Sequence, residues 1–159
     1  MVSSASVLND LNQAKVFYKK AYNSVEVNFS ILKDARIVFD ALNYLNESFY
    51  FFSKAFLNQE YLNKELKNVP STPVLVKRFF LKTQQKKGIL KQEEVEELLL
   101  LEKLKELNNV NHFLLKEGYV IFIDNSFNNF RISLGSVKTL LNTINKLILR
   151  FEEGNLNGV

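Results

Sequence analysis

The chain has 159 residues, 47% of them hydrophobic and 24% charged, proportions that suit one folded core and exclude a disordered or fibrous polypeptide. It has no cysteine and one histidine, which removes disulfides, thiolate chemistry and the common nitrogen-and-sulfur metal sites, so neither a metal nor a cofactor is expected. The net charge of +4 gives only a modest preference for acidic partners. No apolar run approaches the roughly 18–20 residues that span a bilayer, so a cytoplasmic protein without membrane contact is expected.

The first segment, about Ser6 to Phe29, spaces Val7, Leu11, Ala14, Tyr18, Ala21 and Val25 alternately by four and three. That spacing aligns them on one helix face, with Ser6 as the N-cap. The second, about Ser30 to Leu66, repeats the pattern through Ile31, Ala35, Val38, Leu42, Leu45, Phe49, Phe52 and Phe56, with a break near Asn58. Its stripe is widened by Ile37, Ala41, Tyr44, Phe51 and Ala55, which places this helix near a bundle centre, antiparallel to the first.

Pro70 and Pro73 are the two prolines, and the stretch Asn68 to Pro73 is the clear linker. A third helix runs from Pro73 to about Lys86, capped by Thr72, and stops at Gly88. Val74, Leu75, Phe79 and Phe80 are its expected core residues. From about Lys91 to Leu115 an acidic first turn and the leucines 98, 101, 104, 107 and 114 read as a fourth helix ending at Gly118. Tyr119 to Asp124 and Phe130 to Ser133 suit a short hairpin or an ordered loop. The last helix extends from Ser136 to about Glu153 on Val137, Leu140, Leu141, Ile144, Leu147, Ile148 and Phe151, with Gly154 at its end. The fold class expected is therefore mainly α, an antiparallel four- to five-helix bundle in one domain over residues 1–159, its core about 6–153 and its ends, 1–5 and 154–159, flexible.

Two features bear on function. His112, among the amides of Asn108, Asn109 and Asn111, is placed by this reading at a helix end, where an imidazole can exchange protons near neutral pH or bond the free carbonyls of the last turn. Arg78, Lys82 and Lys86 recur at i, i+4 and i+8, with Lys77, Lys87 and Lys91 close by, as a positive stripe that can follow a phosphate backbone or serve as a solvated face. Phe79 and Phe80 beside it offer stacking surfaces. The glutamates at positions 93, 94, 96, 97 and 102 point in several directions and lack the Glu-x-x-His pairing of helical metal sites. No phosphate loop, nucleophile elbow or dinucleotide fingerprint is present.

Two long antiparallel helices, a shorter pair after a linker, a polar helix end carrying His112 and a final amphipathic helix together resemble the HEPN superfamily of helical-bundle proteins, over roughly residues 8–152. RNA-cleaving members of that family carry an arginine, commonly followed by a polar residue, then histidine, with four to six residues between arginine and histidine. Here Asn108 and His112 match, but Leu107 stands where a four-residue gap would place the arginine, and Lys105 stands where a six-residue gap would. Lysine lacks the planar two-pronged clamp of guanidinium on phosphate. The resemblance thus implies a catalytically degenerate homodimer that binds RNA or a cognate protein, and the positive stripe, read from its spacing, offers Arg78, Lys82, Lys86 and Lys87 as the binding residues. Two alternatives stay open: an adaptor bundle without nucleic-acid contact, and a metal-independent ribonuclease using His112 with Lys105, Asn108 or Arg131.

Overall fold

A computed structural model describes residues 2–154, in which five long helices and a three-stranded antiparallel sheet are built. Helix α1 spans Ser4–Asn23. Its cap is Ser3, not Ser6: the Ser3 hydroxyl accepts the Ser6 N–H at 3.1 Å, and Ser6 returns the bond by accepting the Ser3 N–H at 2.9 Å. Helix therefore starts inside the segment expected to be a flexible end; Met1 and residues 155–159 lie outside the described residues. A π-helical stretch, Ser24–Phe29, follows and keeps Val25 and Phe29 both buried.

A single turn, α2, Ser30–Leu32, ends at Lys33, whose φ of 53° breaks the chain before Asp34 caps the next helix by accepting the Arg36 N–H at 2.9 Å. That break corrects the expected start at Ser30 and leaves Ile31 73% exposed, off the core stripe. Helix α3, Ala35–Leu62, then runs without interruption past Asn58. The rest of its stripe, from Ala35 to Phe56, is buried.

Cross-contacts fix the direction of packing. Asp10 faces Lys54, the Ser48 hydroxyl donates to the Ala14 carbonyl at 2.7 Å, and Phe17 stacks on Phe51 and meets Tyr44. Rising numbers on one helix meet falling numbers on the other, so α1 and α3 are antiparallel. Fully buried Ala14, Ala21, Ala41 and Ala55 let the two backbones approach.

Helix α4, Pro73–Lys87, is capped by Thr72 and closed by Gly88 at φ 68°. Helix α5, Gln92–Leu104, begins where the Glu94 carboxylate accepts the Lys91 N–H at 3.0 Å. Around α3 these helices place Phe80 against Phe49, Phe52 and Phe56, and the last helix, α6, Leu134–Glu152, adds Phe151 to Phe52 and Phe56. The rings cross at 61–87°, the edge-to-face arrangement that aromatic quadrupoles favour.

Two charged networks, one buried and one half-buried, tie the helices together. Lys77 on α4 bonds the Asn46 side-chain oxygen on α3 at 2.8 Å and pairs with Glu102 on α5. Glu94 on α5 receives Lys146 at 2.6 Å and the Thr143 hydroxyl at 3.2 Å, both from α6. Burial pushes the Glu94 carboxyl up, but the bonds from Lys146, the Lys91 amide and Thr143 outweigh it and hold the group below its ordinary range.

The sheet carries one strand beyond the expected hairpin. Strand β1, Val110–Lys116, pairs with β2, Tyr119–Asp124, which pairs with β3, Asn129–Ser133. Glu117 and Gly118, at φ 52° and 79°, make the tight two-residue turn between β1 and β2, so Gly118 turns a hairpin and does not end a helix. Phe113, Val120, Phe122, Phe130 and Ile132 alternate onto the inner face, where Phe39 of α3 meets Phe113 and Phe122. No helix among the described residues is long and apolar enough to cross a membrane.

Candidate functional site

Strand β1 changes the setting of the histidine. Helix α5 stops at Leu104, eleven residues short of the expected end; i→i−3 bonds from Lys105, Glu106 and Leu107 tighten its exit, and Asn109 at a left-handed φ of 55° then turns the chain into β1. His112 is thus an exposed strand residue and has no helix-end carbonyls to bond. Its Nδ1 lies 2.8 Å from the side-chain oxygen of Asn111.

Each residue of the candidate catalytic group keeps a different partner. Asn108 gives its backbone N–H to Asp124 at 3.0 Å, Lys105 stands 3.9 Å from Glu47, and His112 bonds its neighbour. No hydrogen bond or ion pair joins the three among the described residues. Arg131, on β3, lays its guanidinium 4.0 Å from the Tyr119 ring centroid, a cation–π contact on the outer sheet face.

The basic residues of α4 divide by helical period. Val76, Lys77, Phe80, Leu81 and Gln84 share the inward face, while Arg78, Lys82, Lys86 and Lys87 are exposed. Of the four expected core residues only Phe80 is buried; Val74, Leu75 and Phe79 are 41%, 53% and 37% exposed, because they lie one or two positions out of phase with it. Lys77 leaves the stripe for its buried pair with Glu102. Among the described residues no ion pair engages Arg78, Lys82 or Lys86, and Phe79 sits between the first two. Lys87 lies 5.6 Å over the Phe56 ring. Nearby Glu60 is pushed up by burial, with Lys87 pulling the other way.

A cleft of about 440 Å³ between α1, α3 and the Pro70 linker is mixed in character, with Asp10, Lys54 and Asn58 beside Tyr50, Val69 and Val76 in its wall. Burial raises the Asp10 carboxyl, and Lys54 at 3.6 Å offsets this only in part. Among the described residues no cluster of three or more histidines, aspartates and glutamates could hold a metal ion.

The most ordered polar centre was not marked as functional by sequence patterning. Asp124, 1% exposed, accepts the N–H groups of Asn108 at 3.0 Å, Ser126 at 2.9 Å and Asn128 at 2.9 Å, and the Asn128 side chain at 3.2 Å. These bonds, that from the Asn108 amide foremost, hold its carboxyl below the usual range despite burial. They also shape the β2–β3 loop, in which Phe127 adopts φ 64° and stands 85% exposed. The available signal was an aspartate followed at two and four residues by Ser126 and Asn128, the pattern of an Asx-type turn. Beside the loop, a groove of about 520 Å³ separates β3 from α5. No family model, curated protein or solved structure matches the chain.

Proposed function

We propose that the chain is a non-catalytic, HEPN-like binding module that holds single-stranded RNA on the outer face of α4. The observation that carries this reading is the row of Arg78, Lys82 and Lys86, exposed, one helical turn apart and without ion-pair partners among the described residues, with half-exposed Phe79 between them. Helix α4 contains five cations and no anion; with Lys77 neutralised by Glu102 and Lys87 over the Phe56 ring, the other three lie on one side. Unpaired cations at turn spacing attract phosphates, and a neighbouring aromatic face accepts a base whatever its identity.

Three phosphate contacts on a single strand imply that the logarithm of affinity falls against the logarithm of salt with a slope of about −2. Binding of labelled oligouridylate, followed across a salt series, should show that slope, and Lys82→Glu with Lys86→Glu should abolish retention while leaving the fold intact. No retention at low salt sinks the proposal and favours a cognate protein as the partner of this face. The separate partners of His112, Asn108 and Lys105 favour binding over cleavage. Chelator-treated protein should accordingly leave the RNA intact; cleavage lost in His112→Ala would establish the ribonuclease instead. Light scattering at about twice the chain mass would support the homodimer that the family resemblance implies.

A further inference from the structure

The groove between β3 and α5 is distinct in its residues from the α4 face, and its two walls differ in kind. One wall is an open sheet edge. The Asp124 N–H donates to the Asn128 carbonyl and the Leu134 N–H to the Gly118 carbonyl, both at 2.9 Å. With the β2–β3 register, these bonds place Phe130 and Ile132 in the hydrogen-bonded pairs. Asn129 and Arg131 therefore turn their backbone N–H and C=O groups away from β2, and no other element among the described residues bonds them. The other wall is α5 and its exit, presenting Leu100, Lys103 and Leu107.

At the end of the groove stands Phe127. A large aromatic on a left-handed backbone, 85% exposed, is costly on both counts. Yet the loop is not loose, since the buried Asp124 carboxylate holds it by three hydrogen bonds and ties it to Asn108 at the exit of α5 by a fourth. The backbone that carries the ring is thus held beside unpaired strand edge groups, an arrangement that lowers the ordering cost of binding.

We infer that this groove is a strand-addition site: an extended, acidic segment of a partner protein pairs with the β3 edge through Asn129 and Arg131, packs an apolar side chain against Phe127 and Leu107, and places a carboxylate on Lys103. An extended peptide is the occupant that supplies alternating N–H and C=O groups at the strand repeat, and every second side chain of it faces the same wall. Its charge follows from the groove. Lys103 on the α5 wall and Arg131 on the β3 wall make no salt bridge among the described residues, Arg131 resting on the Tyr119 ring with its charge uncompensated, against the single carboxylate of Glu106 beside Lys103.

The test is a displayed library of random linear peptides, selected in parallel on the wild-type chain and on Phe127→Ser combined with Lys103→Glu. Both substitutions change exposed side chains, and a circular dichroism spectrum and melting curve matching wild type establish that the variant is folded. The expected result is enrichment, on wild type alone, of acidic peptides with a β-forming apolar residue. The enriched peptide should shift the amide resonances of Asn129 and Arg131, and should bind at least tenfold more weakly to Phe127→Ser and to its own backbone N-methylated form. Lack of enrichment overturns the proposal. So does equal enrichment on both proteins, or binding unaffected by N-methylation. Oligouridylate shifting the Asn129 and Arg131 resonances in place of peptide assigns the groove to RNA and likewise overturns it.

Discussion

The helices around α3 and the segment from Lys105 to Ser133 reach order by different means. In the first, an apolar period settles nearly everything: Phe52 and Phe56 are buried because the stripe places them inward, and Phe80 and Phe151 close over them. In the second, one carboxylate does the organising, since Asp124 gathers the Asn108, Ser126 and Asn128 amides and so joins the exit of α5 to the β2–β3 loop. Aromatic residues illustrate the contrast: Phe56 is fully buried and Phe127 almost fully exposed. Hydrophobicity places the helical stripes and the inner sheet face, and polar bonding sets the loop and the exit of α5 that join them.

The largest expected effect tests the first half of that contrast. Phe56→Ala removes a ring that touches both Phe80 and Phe151, and should cost about 3–5 kcal/mol through lost burial and the cavity left behind. Urea unfolding measures it, and a loss below about 1 kcal/mol would mean that α4 and α6 collapse into the gap. Lys77→Ala is next. It strands the mostly buried Glu102 and the Asn46 amide oxygen, and removal of one partner from such a pair costs about 3 kcal/mol. Lys82→Ala, on the exposed face of the same helix, should stay within about 0.5 kcal/mol. Equal effects of the two would show that Lys77 carries no structural charge.

How much was legible follows from the same physics. The stripes of α1, α3 and α6 could be read because each repeats through several turns, and the exposed row of Arg78, Lys82 and Lys86 because i, i+4 spacing survives any small shift of a helix boundary. Strand β1 was hidden because Leu107 and Leu114 stand seven residues apart and continue the α5 leucines in phase, so a strand with an exposed Leu114 passed for a helix. Adjacent amides at Asn108 and Asn109 and the Glu117-Gly118 turn were the stop signals. Lys77 could not be told from its exposed neighbours, since burial of a lysine depends on Glu102, which is distant in sequence. The setting of His112 failed with β1, because a one-element error moves the residue from a helix end to an open strand.

Acid unfolding sharpens the comparison next. Asp124 and Glu94 titrate below their ordinary range in the folded chain, so the unfolded chain takes up protons first. Their contribution is complete above the unfolded carboxyl values of about 4 and is lost as pH falls through the folded ones. Asp10 and Glu60 are raised; they oppose folding when ionised and gain from protonation as pH drops toward their folded values. A plot of stability against pH should therefore be shallow near pH 5 and steep below 4. Asp124→Asn should lower stability at pH 7 and flatten the steep limb, measured by chemical denaturation at several pH values. An unchanged acid limb in that variant would remove Asp124 as the organiser of the sheet segment.

The smallest effect expected has the opposite sign to the first. Phe127→Asn deletes an aromatic ring from the folded chain, yet the ring is 85% exposed and its backbone sits at φ 64°, where asparagine is tolerated better than a bulky residue. Nothing buried is lost, and the left-handed conformation becomes less costly. Stability should hold or rise by a few tenths of a kcal/mol, resolved by paired melting curves. Removing Phe56 destabilises, whereas removing Phe127 relaxes: the same side chain contributes to the fold in one place and is carried at a small expense in the other. A loss of more than about 1 kcal/mol in Phe127→Asn would show that the ring closes the loop over Asp124, and the two regions would then obey one rule.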